Sequence, residues 1–149
     1  MTISENMTIT ILRKSLKGFI LDMKEETRIS WEYFNKLGVK APGILTRITS
    51  LSGGNQQKVI LAQWLICGLD ILFLDEPTRG IDVGTKSEIY KLILQLAESG
   101  VSIVMVSSEI SELVAICDRF VILGKGRVQR KMEKSEANEV NIIQAASNT

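Results

Sequence analysis

Residues 70–84 read DILFLDEPTRGIDVG. A continuous apolar run, Ile71-Leu72-Phe73-Leu74, stops at two carboxylates, Asp75 and Glu76, and then a proline. Its shortness and its breakers predict a buried strand, apolar on both faces. TRGIDVG (78–84) is a loop by composition. Over 85–99, Ile89, Leu92, Ile93, Leu96 and Ala97 recur at helical spacing, and Gly100 ends the stripe. VSIVMVS (101–107) predicts a second buried strand. Strand, loop, helix and strand in this order make a βαβ unit with a right-handed crossover, hence an α/β fold with a parallel sheet. Sites in such sheets lie at the carboxyl ends of the strands. Asp75 and Glu76 end the first strand, while Ser107, Ser108 and Glu109 end the second. Both groups are expected to face one crevice.

Downstream, SEISELVAIC (108–117) predicts a short helix with a serine N-cap. RFVIL and RVQRKM flank Gly124-Lys125-Gly126 as a hairpin. The tail from Glu133 is polar, with a weak helical stripe of Val140, Ile143 and Ala146. Upstream, residues 6–37 read as helical in two pieces broken near Gly18, and 37–49 reads as a loop. A helix is expected from Gly53 to Cys67, stopped by Gly68. It is apolar nearly all round, so it is expected to be largely buried.

The chain has 149 residues, 45% hydrophobic and 23% charged, with a net charge of +1. That composition is ordinary for a globular domain with a real core. Basic and acidic residues are interspersed, and only 5% are aromatic, so neither a basic stripe nor stacking residues point to nucleic acid. No apolar run reaches the ~18 residues of a membrane span, and MTISENMTIT lacks the pattern of a signal peptide. Cys67 and Cys117 read as buried free thiols. The absence of histidine excludes a Ser-His-Asp triad or a His metal site from this chain.

Two stretches carry chemistry. Asp-Glu at the end of an apolar strand suits a magnesium nucleotide site, with the first carboxylate holding a hydrated ion and the second serving as general base to a water. An acidic strand end that is merely solvated has the same appearance. In LSGGNQQK (51–58), Ser52 is placed as an N-cap. Gly53 and Gly54 let backbone N–H groups approach an anion with no Cβ in the way, and the helix dipole adds positive character there. A plain glycine-rich cap is the alternative. Lys58, a turn into the helix, reads as a surface residue, Arg79 as a solvated or interface charge, and Trp31 and Trp64 as core or interface.

LSGGNQQK, then ILFLDEP, then TRGID, in this order and spacing, resembles the ATP-binding cassette (ABC) family. GGNQQK, DEPTRGIDVG and VSSE resemble the second cassette of the tandem ATPases of bacterial ribose, galactose and xylose importers, and ENMTIT resembles the segment after the Q-loop in that group. The resemblance implies a P-loop-type cassette fold. Residues 1–67 would form the helical subdomain with the signature motif, 68–132 part of the ATPase core, and 133–149 a C-terminal tail. It implies that Ser52, Gly53, Gly54 and Asn55 contact, in trans, an ATP gripped by a partner cassette. Asp75 would hold Mg²⁺ through water, Glu76 is the candidate base, Asp82 belongs to the D-loop, and Ser108 stands where the family carries its switch histidine.

The implied partners are a second cassette, membrane permease subunits and an external sugar-binding protein, on the cytoplasmic side of the plasma membrane. Two departures qualify this. No G-x-x-x-x-G-K-[ST] P-loop exists, since the sole Gly-Lys is Gly124-Lys125 in the hairpin. A serine at 108 also cannot carry positive charge toward a γ-phosphate. The chain is therefore expected to be the C-terminal part of a cassette and not to hydrolyse ATP alone. A non-catalytic interaction module without nucleotide binding is the competing reading.

Overall fold

In a computed structural model, residues 1–11, 16–17 and 20–147 are described. They divide into two compact units, residues 1–72 with 78–102, and residues 73–77 with 103–149.

The first unit is mostly helical. A short helix α1 (Ile3–Thr8) opens with a capping box: Thr2 Oγ1 accepts the Glu5 N–H, and Glu5 Oε2 accepts the Thr2 N–H. A 3₁₀ turn over Ile9–Ile11 follows. Strands β1 (Leu16–Lys17) and β2 (Ile20–Leu21) pair antiparallel, Leu16 opposite Leu21. The helical reading of 16–17 and 20–21 is thus corrected, and the expected break at Gly18 lies outside the described residues. Helix α2 (Met23–Lys36) starts at Asp22, whose carboxylate accepts the N–H groups of Lys24 and Glu25.

Helix α3 (Gly53–Leu65) packs against α1, α2 and α4 (Val83–Glu98). Ile3 and Met7 of α1, Val59, Leu61 and Ala62 of α3, and Ile89, Ile93 and Leu96 of α4 are buried. Between α1 and α2 the contact is polar: Thr8 Oγ1 donates to Glu26 Oε1 at 2.9 Å, and the hydroxyls of Ser4 and Ser30 bond at 2.7 Å. Most of α3 is buried or half-buried, as its apolar composition suggests, but Ile60 and Trp64 are over 40% exposed. Buried Lys58 occupies part of the inward face instead.

Strands β3 (Ile71–Asp75) and β4 (Ser102–Val106) pair. The Ser102 N–H donates to Asp70 O at one end and the Glu76 N–H to Val106 O at the other, so the two run parallel, as the βαβ reading requires. Both-face burial is not observed. Leu72 and Leu74 are buried, but Ile71, Phe73, Val104 and Val106 lie open to solvent. An apolar run expected to be covered on both sides is covered on one.

In the second unit, β5 (Arg119–Gly124) and β6 (Arg127–Glu133) form the expected antiparallel hairpin. Lys125 and Gly126, at φ 49° and 73°, make the tight mirror-image turn that suits the twist of paired strands. Phe120, Ile122 and Met132 of the hairpin meet Ile142 of helix α6 (Glu139–Ser147), with Ile110, Leu113 and Val114 of α5 (Ile110–Ile116) against them. The inward stripe of α6 is therefore Ile142 and Ala145. Val140 and Ile143, picked out by periodicity, are more than half exposed.

Candidate functional site

The start of α3 carries the signature stretch. Ser52 holds the N-cap position, with extended backbone (φ −62°, ψ 155°), yet its side chain makes no capping bond. This corrects the cap expected of the hydroxyl. Oγ instead accepts from Asn55 Nδ2 at 2.9 Å, and Asn55 Oδ1 accepts the Lys40 N–H at 2.7 Å. The first N–H groups of α3 thus have no side-chain acceptor at the cap. That leaves the end of the helix dipole open to an anion.

The two glycines serve different ends. A Cβ on Gly53 would find its nearest neighbour, Gly80 O, at 4.0 Å, and the residue is exposed. A Cβ on buried Gly54 would collide with Cγ2 of Thr85 and lie 3.1 Å from Thr85 Cβ. The room expected for an anion is, at Gly54, filled by the first turn of α4.

Asp82 is the N-cap of α4. Its Oδ1 accepts the Thr85 N–H at 3.0 Å and its Oδ2 the Thr85 hydroxyl at 2.8 Å. The Thr85 hydroxyl first, then the Thr85 N–H, hold its carboxyl below the usual aspartate value. The helix consequently begins at Val83 rather than 85. Asp82 and Gly54 both engage Thr85, so the two residues share a neighbour.

Lys58 overturns its surface reading. It is 4% exposed, and its Nζ donates to Gly38 O and to Glu88 Oε2, both at 2.9 Å. Glu88 Oε1 also takes Lys40 Nζ at 3.1 Å. The Lys58 hydrogen bond, then that of Lys40, holds the Glu88 carboxyl below its ordinary value. Periodicity gave no sign of this pairing across α3, the loop after α2 and α4. Asn35, Lys36 and Lys91 line the same open groove of about 360 Å³.

In the second unit, the carboxyl ends of β3 and β4 meet as expected. The Ser108 N–H donates to Glu76 Oε1 at 2.7 Å and the Ser108 hydroxyl to Glu76 Oε2 at 3.2 Å. Glu76 has φ +48°, a left-handed conformation uncommon outside glycine. Ser107 Oγ donates to buried Glu112 at 2.9 Å and accepts the Glu109 N–H at 3.0 Å. Neither serine caps α5, whose N-cap position is Glu109. Asp75 is exposed at the strand end. Among the described residues no three acidic or sulfur ligands converge on a metal position.

A family profile described as ABC transporter matches residues 1–79. The chain belongs to the ABC transporter family. It is 45% identical over 147 residues to the ribose import ATP-binding protein RbsA of Clostridium perfringens (strain SM101 / Type A), covering 98% of this chain and 29% of that protein. It is 40% identical to the L-arabinose transport ATP-binding protein AraG of Geobacillus stearothermophilus, with 99% and 29% covered. The chain thus spans about 29% of the length of these relatives. A putative metal-chelate-type ABC transporter in an inward-facing conformation superposes with TM-score 0.84 at 18% identity, over 98% of this chain and 57% of that one. A dimeric bacterial ABC transporter cassette gives TM-score 0.74 at 26% identity, with 90% and 57% covered. The cassette fold implied by the motifs is therefore shown. No helix among the described residues is long and apolar enough to cross a membrane.

Proposed function

We propose that this chain is part of the ATP-binding subunit of a monosaccharide importer, and that it offers the start of α3 to a nucleotide held by the P-loop of another cassette. The observation that carries this reading is the open N-terminus of α3: Ser52 sits at the N-cap without capping, beside exposed Gly53. Such an end receives a γ-phosphate through backbone N–H groups and a hydroxyl. Relatives named for ribose import, ribose/galactose/methyl galactoside import and L-arabinose transport favour a monosaccharide or similar small polar solute as cargo. The corresponding partners are a second cassette, membrane permease subunits and an external sugar-binding protein, with the chain peripheral on the cytoplasmic face.

Within that assembly Asp75 would hold a hydrated Mg²⁺ beside the phosphates, where the ion neutralises their charge. Glu76 would face the attacking water as base, but both its oxygens are engaged by Ser108. This favours a carboxylate held by Ser108 rather than free to meet the water at this half of the dimer. The bare apolar face of β3 and β4, with Phe73 75% exposed, fits a cassette whose remaining elements lie elsewhere, since matched solved cassettes contain more chain.

Titration with MgATP tests the reading. The chain alone should bind ATP weakly and hydrolyse none, yet associate with a P-loop-bearing cassette when ATP is added. Submicromolar MgATP affinity of the isolated chain would refute the shared site. The interaction-module reading predicts association that ATP does not change.

A further inference from the structure

We infer that Asn55 is a positioning residue that turns the Ser52 hydroxyl into a hydrogen-bond donor, rather than a nucleotide contact itself. The inference rests on the shared-site reading above and adds the device that orients its serine.

The polarity of the contacts leaves one arrangement. A backbone N–H can only donate, so the carboxamide atom facing Lys40 N, at 2.7 Å, is Oδ1. The carboxamide nitrogen is then the atom 2.9 Å from Ser52 Oγ. It has only protons to give, so Ser52 Oγ accepts. One lone pair of Oγ is occupied, and the serine's own proton must point elsewhere. Among the described residues nothing accepts it. A serine capping its own helix would turn lone pairs toward the N–H groups. Here Asn55 claims the hydroxyl and presents its proton at the open helix end, where an anion would take it.

The loop that supplies the Lys40 N–H is pinned from two sides. Buried Lys58 holds Gly38 O at 2.9 Å, and Glu88 holds Lys40 Nζ at 3.1 Å. Glu88 itself is fixed by Lys58. The carboxamide therefore rests on a rigid support, as an oriented donor requires.

The test uses Asn55→Asp, which has the same shape and keeps an oxygen for the Lys40 N–H. Its second oxygen can only accept, so it reverses the bond to Ser52 and captures the serine proton. Two readouts are needed. In nitrogen-edited NMR of the full chain, the Asn55 side-chain amide should show a proton protected from exchange, and Ser52→Ala should abolish the protection. In ATP-driven association with a P-loop-bearing cassette, Asn55→Asp should weaken the complex about tenfold or more, the size expected for losing a hydrogen bond to a charged group. Added to Ser52→Ala, it should cost little further. An Asn55→Asp chain that associates like wild type, or that weakens the Ser52→Ala chain by its full separate effect, overturns the inference. Protection that Ser52→Ala leaves unchanged overturns it too. If the wild-type chain shows no ATP-driven association, the shared-site reading fails and this inference with it, a result that no Asn55 variant can mimic.

Discussion

The carboxylate of Glu76 accepts two hydrogen bonds from one residue, Ser108: the backbone N–H at 2.7 Å and the hydroxyl at 3.2 Å. The two residues are 32 positions apart and stand at the ends of adjacent parallel strands. Glu76 pays for the placement with a left-handed backbone, φ +48°. This sets an unusual ranking. At an ordinary position glycine is less stable than alanine by roughly 0.5–1 kcal/mol. Here both Glu76→Ala and Glu76→Gly lose the carboxylate bonds, but only glycine relieves the positive φ. Glu76→Gly should therefore melt higher than Glu76→Ala, as read by thermal denaturation. Alanine melting higher would mean that the left-handed backbone carries no strain.

Ser108→Ala removes the hydroxyl and keeps the backbone N–H. The loss should be about 1 kcal/mol or less, because one of two bonds to a partly exposed carboxylate remains. Urea denaturation of both chains measures it. A loss of several kcal/mol would show that the hydroxyl, not the amide, holds Glu76.

Gly54 lies against Thr85 with no space for a methyl group. Gly54→Ala should destabilise by roughly 1–3 kcal/mol through overpacking of α3 on α4. Thr85→Ser deletes Cγ2 but keeps the hydroxyl that donates to Asp82, so it should recover much of that loss in the double variant. Gly53→Ala, with open space around it, should leave stability nearly unchanged. It is the variant to use when the anion-facing role is studied apart from folding.

Ile142 is 8% exposed against Phe120, Ile122 and Met132, whereas Ile143 is 52% exposed. Ile142→Ala should cost about 2–4 kcal/mol in the second unit. Ile143→Ala should stay within about 0.5 kcal/mol of wild type. Hydrogen exchange of the hairpin amides gives the comparison. Equal effects would show that Ile142 does not anchor α6 to the hairpin.

Glu88 is held below its ordinary value of 4.5 by Lys58 and Lys40. A carboxylate depressed in the folded state contributes stability above its unfolded value and loses it as pH falls through the folded one. Asp82, lowered by Thr85, acts with the same sign. The stability difference between wild type and Glu88→Gln should thus be present at neutral pH and shrink as pH falls below 4.5. A difference that grows on acidification would contradict the ion pair.

Much of the fold was legible because the relevant signals are local. Apolar period, a strand ended by Asp75 and Glu76, glycines at 68 and 100 with φ 67° and 99°, and the Lys125-Gly126 turn all act within a few residues. The parallel β3–α4–β4 order follows from them. The errors share a different origin. Periodicity marks an apolar stripe but does not name its partner, so it missed that Ile142 rather than Val140 faces the hairpin. It also covered Phe73 and Ile60, which lie exposed.

By itself the sequence determined the element types from α3 onward, the family motifs and which residues could do chemistry. Only the tertiary structure decided what those residues touch. Ser52 is claimed by Asn55 rather than by its own helix, Gly54 makes way for Thr85, buried Lys58 finds Glu88 thirty positions away, and Ser108 takes both oxygens of Glu76. The physical reason is that helix and turn preferences arise from neighbouring backbone and side-chain sterics, whereas the partner of a polar group depends on which distant segment the core brings within hydrogen-bond reach.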